Sequence, residues 1–193
     1  MEGVIPDTQG AEELPVQNAS KMEIALGEDE LRQITLYAAT CARRVLSVFE
    51  AAQPNDPRPR EAIAEAEAFG AGKRRTAILR TAAWSAYAAA REVKDAPAAH
   101  AAHAASHAAA AAYLHPIASS HQVKHVLGAA VHQALAFELE AGNDMSVGSA
   151  QLSWAASLAP PVVRDALRRL PSPPCGLGRF SKLLNELDAD LRG

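Results

Sequence analysis

The sequence predicts an all-α protein: a single-domain, alanine-rich helical bundle with a histidine-bearing helical hairpin. Three observations predict it. Alanine dominates the composition while aromatic residues make up only 5%, and alanine both favours helix and lets helices approach closely. Apolar residues recur at intervals of three and four, and no period-2 run supports a strand. All seven histidines lie between His100 and His132. They sit in a stretch that has no Asp or Glu from Ala96 to Phe137 and Lys124 as its only strong base.

Taken in order, residues 1–26 are acidic, turn-rich and without period, and are expected to form a mobile arm. Residues 27–170 are expected to form the helical bundle, and 171–193 a linker followed by a C-terminal docking helix. The first helix should span Glu28 to Ala52, with Leu31, Ile34, Ala38, Cys41, Val45, Val48 and Ala52 as its buried stripe. Cys41 within that stripe reads as a small core residue. In the following turn, Asp56 is the expected N-cap of a second helix whose first turn tolerates Pro57 and Pro59. Arg58 and Arg60 then sit at the positive end of the helix dipole, so they need carboxylate partners or an anion. Lys73-Arg74-Arg75 is expected to open a third helix running to Val93. Gly72-Lys73 does not make a phosphate loop, because Glu67 and Arg74 stand where the motif needs Gly and Ser or Thr. Trp84 and Tyr87 on the third helix are expected to fill interior space beside alanines. Later helices are expected over Met145–Leu158, from Pro160-Pro161 to Arg169, and over Ser181–Leu191. The last has Leu183, Leu184, Leu187 and Leu191 as a docking face.

The histidines fall at helical spacing. His100, His103 and His107 share one face of a helix that starts at Asp95-Ala96-Pro97. His121, His125 and His132 share one face of the next, for which Ser119 or Ser120 supplies an N-cap. Pro116 separates the two. An antiparallel hairpin with facing histidine stripes is the simplest geometry. Three readings of these rings stay open: helix packing, general-base chemistry by neutral imidazole in an apolar pocket, and a divalent-metal site. His121-Gln122-Val123-Lys124-His125 has zincin spacing, but Gln122 replaces the glutamate general base, which excludes a metalloprotease.

A net charge of −3 argues against a general nucleic-acid binder. Ala96–Ala112 is too short and too interrupted by histidine for a membrane span. The N-terminus lacks the basic and apolar regions of a secretory signal. Two cysteines in unlike settings do not form a disulfide framework, and a cytoplasmic location is expected.

Three segments carry a family resemblance: Cys41-Ala42-Arg43-Arg44-Val45-Leu46, Asp56-Pro57-Arg58-Pro59-Arg60-Glu61-Ala62-Ile63, and Ser106-His107-Ala108-Ala109-Ala110. With His125-Val126-Leu127-Gly128-Ala129-Ala130 they resemble the bacterial immunity protein family with the Imm-5-like domain, over about residues 29–137. Ser106 stands where the family pattern has glycine, Tyr113 where it has histidine, and the loop from Leu114 to Lys124 is longer. His103, His121 and His132 lie outside the pattern. The resemblance implies a helical protein that neutralises a toxin.

Two functions follow. The first is an immunity-type protein that neutralises a toxin by contact. The second is a small-molecule enzyme of the secondary-metabolite type, with its pocket between the histidine helices. The candidate catalytic residues are His107, His125, His103 and Tyr113, and the candidate binding residues are Arg58, Arg60, Trp84 and Tyr87. No cofactor is favoured. A divalent metal, if bound, would use His121, His125 and His103. The partner expected is a toxin protein or a small molecule, with neither nucleic acid nor membrane, and homo-oligomerisation stays open.

Overall fold

In the computed structural model, residues 23–193 are described. Most of the expected arm, residues 1–22, lies outside them. Glu23 to Leu26 lie against the body: the Ile24 amide donates to the Pro116 carbonyl at 3.1 Å, and Glu23 bridges Ile117. Among the described residues there are eight α-helices and no strand. They are α1 (Glu28–Ala52), α2 (Arg58–Gly70), α3 (Ala77–Glu92), α4 (Ala96–Ala111), α5 (Val123–Glu140), α6 (Met145–Leu158), α7 (Pro161–Arg169) and α8 (Arg179–Arg192). A 3-10 turn, Ser120–Gln122, precedes α5.

The core is organised around α4. It packs against α1, α2, α3 and α5 at once. A helix with neighbours on that many sides can afford few large side chains. Ala98, Ala101, Ala102, Ala104, Ala105, Ala108, Ala109 and Ala111 are accordingly all buried. The side chains on α4 larger than proline are three histidines, and these fill the side toward α5. Ser106 supplies the link to α3: its hydroxyl is buried and donates to the Ala83 carbonyl at 2.9 Å.

The remaining boundaries follow local chemistry. Acidic Glu28, Asp29 and Glu30 favour the start of α1, where the Glu30 carboxylate accepts from the Gly27 amide at 2.8 Å. The α3 start differs from expectation. Lys73 to Arg75 are non-helical, and Thr76 caps the helix by accepting from the Leu79 amide. The cap of α2 also differs: Pro57 holds the N-cap position, while Asp56 accepts from the Arg58 amide one step earlier. Ser119 caps the 3-10 turn rather than α5, so the helix proper begins two residues beyond His121.

The C-terminal helix docks on the body, against α5, α6 and α7, through buried Leu183, Leu184, Leu187 and Leu191. Its first residue, Arg179, makes a bidentate ion pair with Glu138 of α5 at 2.7 and 2.8 Å. Glu138 is buried, and Gly148 of α6 makes room for it: a Cβ there would lie 2.0 Å from the carboxylate. Removing one partner of such a pair strands a buried charge. Arg179→Ala should therefore lower unfolding stability by about 3 kcal/mol, read as a lower urea midpoint, with early loss of amide protection in α8.

Candidate functional site

The two histidine stripes do face each other, and they converge on His132. Its ring lies 5.1 Å from that of His100, 5.0 Å from His103 and 5.1 Å from His107, centroid to centroid. The rings of His103 and His107 stack on it at 25° and 29°. The fourth neighbour is Phe180 of α8, at 4.8 Å. One residue of α5 thus fits a hole made by positions i, i+3 and i+7 of α4. His100 and His132 meet through their Nδ1 atoms at 2.8 Å, so one ring donates and the other accepts.

His107 is held by shape. Its ring lies over Gly128 of α5, where an added Cβ would be 2.5 Å from Nδ1. This explains why the histidine of one quoted segment requires the glycine of the other. His125 stands 6.5 Å from His107, ring to ring. The Nδ1 atoms of His107 and His125 are sealed from solvent and have no hydrogen-bond partner, although both residues retain some exposed surface. His121 and His115 are exposed. His121 sits in the 3-10 turn, so its four-residue spacing to His125 does not place the pair on one helix face. Among the described residues no three His, Cys, Asp or Glu side chains are grouped to share a metal ion.

The space expected to be a cavity between these helices is occupied by the rings themselves, with centroids 5.0–5.1 Å from that of His132. Two clefts lie elsewhere. One of about 330 Å³ is lined by Gln33, Leu36, Tyr37, Thr40, Leu158 and Pro160. One of about 80 Å³ adjoins Asp56, Arg58 and Glu92.

The other candidate residues are drawn into different tasks. Tyr113 donates its hydroxyl to the Thr76 carbonyl at 2.6 Å and is covered by Arg75 and Arg80, strapping the end of α4 to the start of α3. Arg58 grips Asp56 through Nε and Nη2 and also reaches Glu92 at 2.6 Å. Facing two carboxylates, it has little residual field for an anion. The guanidinium holds the Asp56 carboxyl below the usual carboxylate range. Arg60 pairs with Glu50 at 2.7 Å. Arg43 pairs bidentately with Glu67 of α2, and Arg44 covers the Trp154 ring at 4.1 Å. Cys41 is fully buried, and burial pushes its thiol up to about 12. Most polar groups of the first two segments are thus spent on joining helices.

Trp84 and Tyr87 depart furthest from expectation. They do not fill the interior: Trp84 is 67% exposed and Tyr87 40%. The inner side of α3 is Leu79, Ala83, Ala86, Ala89 and Ala90, which meets the alanine wall of α4 too closely to admit a ring. His100 and His132 were missing from the candidate set. Their signal was the i, i+7 continuation of each stripe. Phe180 had no such signal, because it arrives from a helix far along the chain.

Burial pushes the five clustered imidazoles toward the neutral form. His107 falls to about 4 and His132 well below the ordinary value, with neighbouring histidines adding to the effect; His100, His103 and His125 are also lowered. The unfolded chain binds protons near the ordinary value of 6.5, whereas the folded stack resists them. The stack's contribution to stability is therefore complete above pH 6.5 and declines as pH falls from there toward 4. Each deeply buried ring should add a slope of about 1.4 kcal/mol per pH unit. Urea midpoints measured across this range should show the decline, and His132→Phe, which keeps a ring in the hole, should make it shallower by that ring's share. A second test concerns shape. Gly128→Ala should cost about 1–3 kcal/mol by overpacking. In a His107→Ala background the same change should cost almost nothing, because the clash has gone.

Residues 25–160 match the family described as Imm-5 like putative immunity protein. No curated protein and no solved structure matches the chain. The match spans α1 to α6 and includes the whole histidine seam, while α7 and α8 lie beyond it. Since it covers well over half of its length, the chain belongs to the Imm-5 like immunity protein family.

Proposed function

We propose that this chain neutralises a toxin protein by direct contact, as a cytoplasmic immunity-type protein. The observation that carries the reading is the family membership. The use of the polar groups supports it. The arginines of the first two segments tie helices together, and the histidine rings occupy the space that a substrate would need. Neutralisation by contact requires no substrate cavity, which agrees with a seam filled by side chains. No helix among the described residues is long and apolar enough to cross a membrane. The second reading, a small-molecule enzyme, has one observation in its favour. The rings of His107 and His125 are held neutral and their Nδ1 atoms are unbonded, and a neutral imidazole is the form a general base needs. Their closure from solvent and the filled seam weigh against it.

The test is co-expression with the product of the adjacent gene in its native genome. The expected result is that the neighbour alone arrests growth, that this chain restores it, and that the two proteins elute together from a sizing column. A neighbour that is harmless, together with turnover of a small molecule that disappears in His107→Ala, would replace contact neutralisation by catalysis.

A further inference from the structure

We infer that the outer face of α3 is the recognition face, and that its partner is an acidic protein surface with an apolar centre. This inference rests on the contact reading above and specifies where that contact occurs.

The first observation is a stripe. Arg80, Trp84, Tyr87 and Arg91 are spaced by four, three and four residues, so they fall on one side of α3. All four are exposed. Trp84 and Tyr87 meet edge to face at 6.0 Å, which fixes their mutual orientation. Tyr87 in turn rests on His103 at 5.4 Å, so the pair stands on the histidine stack rather than on a mobile loop. Exposed Trp and Tyr flanked by Arg are the residue types that carry most binding energy at protein interfaces.

The second observation is charge. Residues 71–137 hold seven lysines and arginines, from Lys73 to Lys124, against two acids, Glu92 and Asp95. That is a formal +5 in a chain whose net charge is −3, which leaves −8 for the remainder. The two acids are already committed: Glu92 pairs with Arg58, and Asp95 caps α4. Among the described residues none of the seven cations forms an ion pair, whereas eight arginines elsewhere do. Positive charge is therefore concentrated in the segment that carries the aromatic stripe, with Arg80 and Arg91 on the stripe itself, and among the described residues none of it is drawn into an ion pair. An acidic surface with an apolar side chain for Trp84 complements both features. A nucleic acid fits less well, because the cations are few and the middle of the stripe is aromatic and uncharged.

The probe is a short fluorescein-labelled peptide of alternating Glu and Leu. It should bind with an affinity that falls as salt rises, and it should shift the Trp84 emission to the blue. Trp84→Ala and the double variant Arg80→Glu/Arg91→Glu should each lose roughly tenfold or more in affinity. Their far-ultraviolet circular dichroism should not change, since these side chains are exposed. Absence of peptide binding, or equal binding by the variants, overturns the proposal. So does tighter Trp84-dependent binding of duplex DNA or of phosphatidylglycerol vesicles, which would give the face to a nucleic acid or a lipid surface. Trp84-dependent self-association in sedimentation would give it to a second copy of the chain. The growth test separates this inference from the reading beneath it. Full protection by Trp84→Ala and by the double variant removes the face and leaves contact neutralisation standing. Variant-sensitive peptide binding in a chain that protects nothing keeps the face and removes the neutralisation.

Discussion

The fold depends on how closely α4 approaches its neighbours. With helices on several sides, almost every inward position on α4 must be alanine, and any larger residue must face the single seam left open toward α5. The three histidines occupy that seam. Their spacing of three and four, set by the helix, creates the hole into which His132 fits. The same constraint explains α3. Because its inner side must meet an alanine wall, its aromatic residues have no interior to enter and stand outside. The composition of one helix thus sets the position of the histidine stack and of the exposed stripe.

The histidine stack is a polar core held together by neutrality. Five imidazoles are packed without a local carboxylate in their own segments, and burial keeps them uncharged. A single proton shared between His100 and His132 satisfies both atoms at that contact, while Nδ1 of His107 and of His125 remains unbonded. Unmade bonds of this kind each cost about 1–3 kcal/mol, so the stack is stabilised by shape and ring contact more than by hydrogen bonding.

Much of this arrangement was legible in the residues. The all-α class, the limits of α1 and α6, and the facing of the two stripes followed from periodicity, Pro placement and caps, which act locally. Cys41 as a core residue followed from the same periodicity. What was not legible depended on long-range packing. Trp84 and Tyr87 read as interior because large rings are usually buried, and only the closeness of α4 reverses that. Arg58 could be recognised as needing partners, but Glu92 as one of them required the fold. His121 looked paired with His125 until the 3-10 turn placed it before the helix. Phe180 could not be connected with His132 at all, because no sequence rule links residues so far apart.

The position of Phe180 has a consequence for how the molecule is made. α8 leaves the ribosome after both helices of the seam, so α4 and α5 can pair before Phe180 and Arg179 exist. Until α8 arrives, one side of His132 faces water and the Glu138 carboxylate has no guanidinium. The C-terminal helix is therefore a seal placed over an assembled wall, and a nascent chain stalled before it would carry an open, hydrated histidine seam.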